Sequence, residues 1–527
     1  MSKPSIMFYH DGRHPLIYMY EPPMQKEEYE AAVDELVGTS VDALMFCMGD
    51  GRTVLHDTQV GELWGDNVDK WSHIIFRRAH QNAKALIESG NDPLKIVCAR
   101  AHAKGIKVYP TLLMAQGTGN REDDNRGSEF RFNNTHLEIG AASDIDEGFA
   151  GYRNLDFKHK EVREERIGLM KETFEKYDID GFEMQLNYFP VYFHPNEVKS
   201  GIRIMNDFVG EVYHLLKSSG SDRELAIRIP ASVEGSLSVG LDAKTWIDEG
   251  IADVIIGQNY SGPELIDPMA DFSGLVDLAR GKECRIHAAI QSHLDSDRLS
   301  EAPIEMIRAT ASNYWRQGID GLYLAHWFNN WPYEASFYEK LRELSHPDIM
   351  EAKDKFYSIA TSTGRFGEPS LEPGLEMQLP VEMEEGSAAK FEMDISDDLG
   401  VWDKTGRVHQ VILRIRIGET TELDEWEFRM NGNKLPDSSL RKINRMYTMS
   451  APRYLRWGYW YIFTLDKDNW PIKGTNVIEV ELKKRDAGVI PLPEVLDVEL
   501  ETKYLMGKNY HRDYVDAELG PYEFKTL

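Results

Sequence analysis

The chain is predicted to fold as a (β/α)8 barrel followed by an all-β sandwich domain, and three observations support this. Short apolar runs alternate with longer segments whose apolar residues recur every three or four positions, as in strands and amphipathic helices. The alternation gives eight strand-and-helix units before about residue 350, the number that closes a barrel. Beyond a stretch rich in Ser, Thr, Gly and Pro, the helical periodicity ends and strand patterns dominate.

The eight predicted barrel strands are short and rich in apolar residues, because parallel strands are buried on both faces. They are placed at residues 5–9, 42–47, 106–113, 180–186, 224–229, 253–257, 285–290 and 321–325. The helices predicted between and after them include the stretches 26–37, 69–89, 160–177, 200–218, 272–281, 304–317 and 335–345. Gly105, Gly250 and Gly318 each precede a strand, where a helix should end.

The change of pattern sets the predicted domain boundaries. The barrel is placed at residues 1–350, a linker at 351–371, the β-sandwich at 372–515 and a C-terminal tail at 516–527. In the sandwich, the aromatic block 454–463 is interpreted as alternating core residues, with stacking on sugar rings as the alternative. In the barrel, the long segment 116–158 is either a wall of a substrate cleft or a simple insertion.

Composition narrows the classes of partner. The chain has 88 acidic and 60 basic residues and a net charge of -28, which argues against nucleic acid and anionic membranes. Three widely spaced cysteines fit reduced core residues better than a disulfide framework or a zinc cluster. Neither a signal peptide nor an 18-residue apolar span is visible, so we expect a cytoplasmic protein; no cofactor motif is recognised.

The fourth predicted strand carries the most informative pattern. Glu183, Gln185 and Asn187 lie two residues apart, so their side chains should point to the same face of that strand. An unpaired carboxylate in a barrel interior costs several kcal/mol, and polar groups at these positions near a strand end therefore indicate a functional site. A hydrogen-bonded polar core is the alternative.

Other polar and aromatic residues follow the remaining strands, at the end of a barrel where ligands bind. Amide, imidazole and indole groups are suited to a hydroxyl-rich ring, since they offer directional hydrogen bonds and stacking surfaces. The predicted substrate-binding residues are His10, Arg13, Gln116, Gln185, Asn187, Arg228, Glu234, Gln258, Asn259, Tyr260, Gln291, His293, Asp295, His326 and Trp327. The predicted partner is an oligosaccharide or polysaccharide.

Three segments resemble the family 10 glycosyl hydrolase-like proteins, a group of bacterial barrel proteins. They are the runs 154–163 and 177–183, which read as a helix followed by a strand, and the run 240–253. The resemblance implies a (β/α)8 barrel that hydrolyses glycosidic bonds. Related barrels often carry an Asp where this chain has Gln185, so one carboxylate implied by the resemblance is absent.

Glycoside hydrolysis normally requires two carboxyl groups. Glu183 is the preferred acid/base and Asp50 or Asp11 the preferred partner, while Glu234 and Asp295 also stand near strand ends. Arg228, within the fifth strand, is predicted either to position the sugar or to form an ion pair with Glu183. Such a pair would make Glu183 a poor general acid.

Two alternatives remain open. The first is a noncatalytic carbohydrate-binding barrel, in which the missing carboxylate is simply absent. The second is a metal-dependent sugar isomerase or hydrolase, with ligands drawn from His10, His14, His287, His293, Asp295 and Glu183. The spacing of these residues matches no known metal motif, and no metal ligand is therefore assigned.

Overall fold

The computed structural model describes residues 5–13, 17–115, 118–142, 144–258, 265–294, 301–360, 377–444, 458–506, 515–516 and 520–521. Within them, eight parallel strands form a closed barrel, because β1 pairs with both β2 and β8. The strands are β1 (Ile6–His10), β2 (Ala43–Asp50), β3 (Lys107–Leu113), β4 (Gly181–Gln185), β5 (Glu224–Pro230), β6 (Val254–Gln258), β7 (Arg285–Ile290) and β8 (Gly321–Leu324). The predicted fold class is confirmed.

Helices surround this barrel and cover its outer face. Their bounds are Lys26–Tyr29, Ala31–Asp34, Ile74–Glu88, Pro93–Lys104, Glu129–Asn133, Lys160–Lys176, Val198–Ser219, Val233–Ser238, Ala243–Asp248, Ser273–Ala279, Ile304–Arg316, Ala335–Leu344 and Pro347–Met350. The single helix predicted at 26–37 is wrong, since two short helices occupy that segment. Pro93–Lys104 was not predicted, although Asp92 caps its start and Gly105, at φ +74°, ends it.

β2 extends beyond its predicted end and carries Asp50 as its last residue. Its ladder with β3 shifts register between Cys47 and Gly49, which adds a residue to β2 at a bulge. A short strand, Thr53–Val54, turns back against the end of β2, so that Asp50 pairs with Thr53 on one side and Leu113 on the other. The bulge and hairpin therefore hold Asp50 at the C-terminal mouth of the barrel.

The C-terminal domain consists of two antiparallel sheets packed face to face. One contains Lys355–Ser358, Val381–Glu382, Val408–Gly418, Leu440–Asn444, Tyr459–Thr464 and Glu494–Tyr504, and the other contains Ala388–Ile395, Glu425–Met430, Asn433–Lys434 and Gly474–Lys484. Buried and partly exposed residues alternate along Gly474–Lys484, as expected of a strand with one face in a core. Tyr461 and Phe463, from the aromatic block, lie in that core.

Several contacts among the described residues connect the barrel to the sandwich. The buried Asn313, on helix Ile304–Arg316, donates from Nδ2 to the carbonyl oxygens of Pro268 and Asp394, at 3.0 and 2.9 Å. Strand Lys355–Ser358 lies in the segment predicted as a linker, and it pairs with Glu494–Tyr504 of the sandwich. The Lys355 ammonium is buried and lies 2.6 Å from the Asp397 carboxylate, so this strand is fixed by side chains as well as by its ladder.

Cys47, Cys98 and Cys284 are buried and form no disulfide. In the described part of the chain, no helix combines the length and apolar character needed to cross a bilayer.

Candidate functional site

Glu183 and Arg228 form an ion pair inside the barrel. Arg228 Nε donates to Glu183 Oε1 at 2.7 Å, and neither side chain is exposed to solvent. Tyr323 OH lies 2.9 Å from Oε2 and 3.2 Å from Oε1 of the same carboxylate, and donates its proton there. The pair that the sequence offered as one of two roles for Arg228 is therefore present.

Aromatic rings enclose the Arg228 guanidinium. Its central carbon lies 4.5 Å from the ring centre of Tyr9 and 4.6 Å from that of Tyr323, distances typical of cation–π contacts. Burial opposes the charge of Arg228, but the Glu183 carboxylate together with Tyr323 and Tyr9 outweighs burial and raises the arginine pKa. A cation and a phenol are therefore both directed at the Glu183 carboxylate.

The ion pair continues into a group of amides. Arg228 Nη1 lies 3.3 Å from Gln258 Oε1, and Asn187 Nδ2 donates to that same oxygen at 2.9 Å. Gln258 is the last residue of β6, whereas Asn187 lies two residues beyond β4. Asn187 and Gln258 thus meet at the mouth of the barrel.

Several buried polar atoms near this mouth have no hydrogen-bond partner among the described residues. They are Gln185 Oε1, Asn187 Oδ1, Gln258 Nε2, Arg228 Nη2, Asp50 Oδ1 and both Gln291 side-chain atoms. Leaving such a group unpaired costs about 1–3 kcal/mol, so native proteins satisfy them with water or a ligand. The set contains both donors and acceptors, which is the mixture that hydroxyl groups can satisfy.

A second charged group lies at the ends of β1 and β2. Arg13 Nη1 donates to Asp50 Oδ2 at 2.8 Å, and Arg13 Nε lies 3.4 Å from Asp11 Oδ2. Arg126 Nε approaches Asp50 Oδ2 at 3.6 Å from the other side. Burial opposes the charge of Arg13, but Asp50 and Asp11 outweigh it and raise its pKa. One guanidinium therefore holds two of the three predicted catalytic carboxylates together.

Asp50 lines a cavity of about 170 Å³ at the ends of β2, β3 and β4, with Leu113, Ala115, Thr118, Arg126, Ala150, Asn154, Tyr188 and Phe189. Thr118, Arg126, Ala150 and Asn154 belong to the long insertion after β3, so this insertion supplies a wall of the cavity. Glu183 does not line it. Phe189 is 44% exposed and has φ +46°, a conformation uncommon for residues other than glycine.

The remaining predicted site residues are placed differently. His10 stacks on Phe46 at 5.5 Å, and His326, at φ +55°, packs its ring edge against Tyr9 at 5.6 Å. Burial lowers the pKa of His293, just after β7.

Two predicted site residues take other roles. Trp327 is buried against the helix Ala335–Leu344 and donates to the Ile290 carbonyl. Glu234 is exposed on the helix Val233–Ser238. Gln116, Asn259, Tyr260 and Asp295 lie outside the described residues.

Sequence reasoning missed five residues of this region. Tyr9 and Tyr323 were read only as apolar strand residues, although Tyr9 directly precedes the predicted site residue His10 and faces the barrel interior. Tyr188 and Phe189 follow Asn187 directly, so the strand-end rule used for Asn187 would have included them. Arg126 carries no such signal, because it lies in an insertion without periodicity.

Among the described residues, no group of three or more His, Cys, Asp or Glu side chains is arranged to hold a metal ion. His287 is fully buried in β7, and its Nε2 lies 3.4 Å from Arg285 Nη1. Burial, with a smaller effect of Arg285, lowers the pKa of His287 to about 3. His14 and Asp295 lie outside the described residues.

Comparison with solved structures finds similar chains at low identity. The endo-β-1,4-mannanase from Thermotoga petrophila is 10% identical over 96% of this chain and 98% of that chain, with a TM-score of 0.44. An α-amylase from Lactobacillus plantarum is 11% identical over 90% and 98%, with a TM-score of 0.40. A class V chitinase from Pseudomonas fluorescens is 11% identical over 65% and 100%, with a TM-score of 0.37. No protein-family model and no curated protein matches the chain.

Proposed function

We propose that the protein is a glycoside hydrolase-like enzyme that cleaves a glycosidic bond of an oligosaccharide or polysaccharide at the mouth of its barrel. The observation that carries this proposal is the position of Asp50. It is a buried carboxylate in the wall of a cavity that also presents Tyr188 and Phe189, and buried amides without partners lie at the same mouth. Carboxylates, aromatic rings and amides are the groups that carbohydrate chemistry requires. We also propose that the chain is related to the family 10 glycosyl hydrolase-like proteins, which three of its segments resemble.

Within this proposal, Asp50 is the ionised carboxylate. Its hydrogen bond from Arg13 fixes the orientation of the carboxylate, while its Oδ1 has no partner among the described residues. Asp11 is the proposed partner carboxyl group, because the Arg13 side chain contacts both Asp11 and Asp50. Glu183 acts as a positioning residue, since it is bound to Arg228, which in turn contacts Gln258.

A second candidate is a noncatalytic carbohydrate-binding barrel. It is favoured by one observation, namely that Glu183, Asp50 and Asp11 each contact an arginine side chain. Such contacts keep carboxylates ionised, whereas a glycosidase needs one carboxyl group that can donate a proton. This candidate predicts sugar binding at the same mouth without bond cleavage.

An activity screen separates the two candidates. The purified full-length protein is incubated with a panel of oligosaccharides and polysaccharides, with and without a chelator, and products are identified by mass. We expect cleavage that the chelator does not change and that falls at least 100-fold in Asp50→Asn, the lower range for loss of an acid, base or nucleophile. Asp57→Asn is the matched control, because Asp57 pairs with Lys176 outside the barrel mouth.

Three outcomes would contradict parts of this proposal. Binding without products would favour the noncatalytic barrel. Activity abolished by the chelator would favour metal-dependent chemistry. Equal activity in Asp50→Asn and the unchanged protein would remove Asp50 from the mechanism.

A further inference from the structure

We infer that the sugar bound in the Asp50 cavity carries a carboxylate, as uronic acids do, and that the guanidinium of Arg126 binds it. This inference rests on the proposed function, because it names the substrate class for the same site. Negative and positive side chains alternate at the mouth of the barrel. Asp11, Arg13, Asp50 and Arg126 form an alternating chain, with contacts of 3.4, 2.8 and 3.6 Å between successive charged groups.

The alternating chain ends at the cavity. Arg13 lies between two carboxylates and is buried, but the Arg126 side chain contacts only Asp50 among the described carboxylates, at the longest of the three distances. The Arg126 side chain is 37% exposed and lines the cavity. To continue the alternation of negative and positive groups, an anion must lie next to Arg126 on its cavity side. No described side chain supplies that anion.

Arg126 is also held in place for this role. Its backbone N–H donates to Asp124 Oδ1 at 2.9 Å, and its carbonyl oxygen accepts from Thr53 Oγ1 at 3.1 Å. The main chain is thus anchored on both sides, while the Nη atoms have no hydrogen bond to any described residue. A guanidinium with both Nη atoms available binds a carboxylate through two parallel hydrogen bonds.

The other walls of the cavity favour a single sugar ring. Ala115 and Ala150 leave space, and the rings of Tyr188 and Phe189, perpendicular at 4.6 Å, provide an apolar surface. The volume of about 170 Å³ is below the roughly 300–1,000 Å³ of pockets for larger ligands. A densely sulfated chain is a poorer candidate, because the net charge of -28 repels polyanions whereas one local arginine attracts one carboxylate.

Matched pairs of ligands test the inference. The full-length protein is titrated calorimetrically with short oligomers of galacturonic, glucuronic and mannuronic acid, with their methyl esters, and with neutral mannose and glucose oligomers. Esterification removes the charge and keeps the ring. We expect at least one acid to bind about tenfold more tightly than its ester. Arg126→Gln should abolish this preference, so that the acid and its ester bind with equal affinity.

Arg121→Gln is the matched control. Arg121 lies in the same insertion with a similar exposure of 38%, but its partners are Glu129 and Asn133 rather than Asp50. It should retain the preference for the acid. Thermal unfolding of both variants shows whether either substitution disturbs the fold.

The results also separate this inference from the proposed function. Tight binding or cleavage of neutral oligomers, with no acid preferred to its ester, would overturn the inference and leave the proposed function standing. A preference that survives in Arg126→Gln would likewise remove Arg126 as the carboxylate-binding group. If no carbohydrate binds or is cleaved, both are wrong.

Discussion

Arg228 Nε donates to Glu183 Oε1 at 2.7 Å in the barrel interior, with both side chains fully buried. The two residues lie on adjacent strands, β4 and β5, two residues apart in register: Glu183 pairs with Ala226, and Arg228 with Gln185. Because each charge is out of contact with water, each depends on the other for its stabilisation. The pair therefore links the mouth residues to the stability of the barrel.

We expect Glu183→Gln to lower the free energy of unfolding by roughly 3–5 kcal/mol, since it leaves the Arg228 charge buried without a counterion. Urea unfolding of the full-length protein measures this change. Replacing both partners, as Glu183→Gln with Arg228→Met, should recover part of the loss. Glu234→Gln, at an exposed glutamate, is the control and should leave stability unchanged. A loss of turnover in Glu183→Gln without a loss of stability would instead place Glu183 in the chemical step.

The position of Phe189 allows binding and stability to be separated. We expect Phe189→Gly to weaken carbohydrate binding by about tenfold, because aromatic side chains of this kind provide the stacking surface for a ring. Stability should not fall, since glycine adopts the φ of +46° without strain and the ring is 44% exposed. Calorimetric titration and thermal unfolding give the two measurements. Unchanged affinity would show that the ring takes no part in binding.

Two buried histidines predict a dependence of stability on pH. Burial, with Lys176 close to His56, lowers the pKa of His56 to about 3, and burial lowers the pKa of His287 to about 3. The unfolded chain protonates both near pH 6.5, so between about pH 6.5 and 3 it binds more protons than the folded protein. Stability is therefore fully present above this range and is lost as the pH falls through it.

The expected loss between pH 7.5 and 5.5 is roughly 1.4 kcal/mol for each histidine, measured by urea unfolding at both values. His56→Phe should remove the part that belongs to His56, because phenylalanine does not titrate and can keep the edge contact with the Tyr177 ring. His214→Gln is the control, as His214 is exposed. The same pH dependence in His56→Phe and the unchanged protein would show that His56 is not the source.

The barrel strands could be predicted because their apolar runs are continuous and local in sequence. The order of Glu183, Gln185 and Asn187 also indicated which side chains share a face, and the contacts of Glu183 and Asn187 agree. The enclosure of Arg228 could not be predicted in the same way. Tyr323 and Glu183 are 140 residues apart, and they meet only because β1 and β8 complete the barrel. Pairing across a closed barrel is a property of the whole sheet rather than of any one strand.

The strand Lys355–Ser358 lies at the edge of its sheet and pairs there with Glu494–Tyr504. The composition of the chain changes only after this strand, so a fragment chosen from composition alone would omit it. Such a fragment would expose a row of unpaired amide and carbonyl groups along Glu494–Tyr504 and leave Asp397 without its lysine. Open edges of this kind recruit strands from other molecules, and self-association of the isolated sandwich would follow.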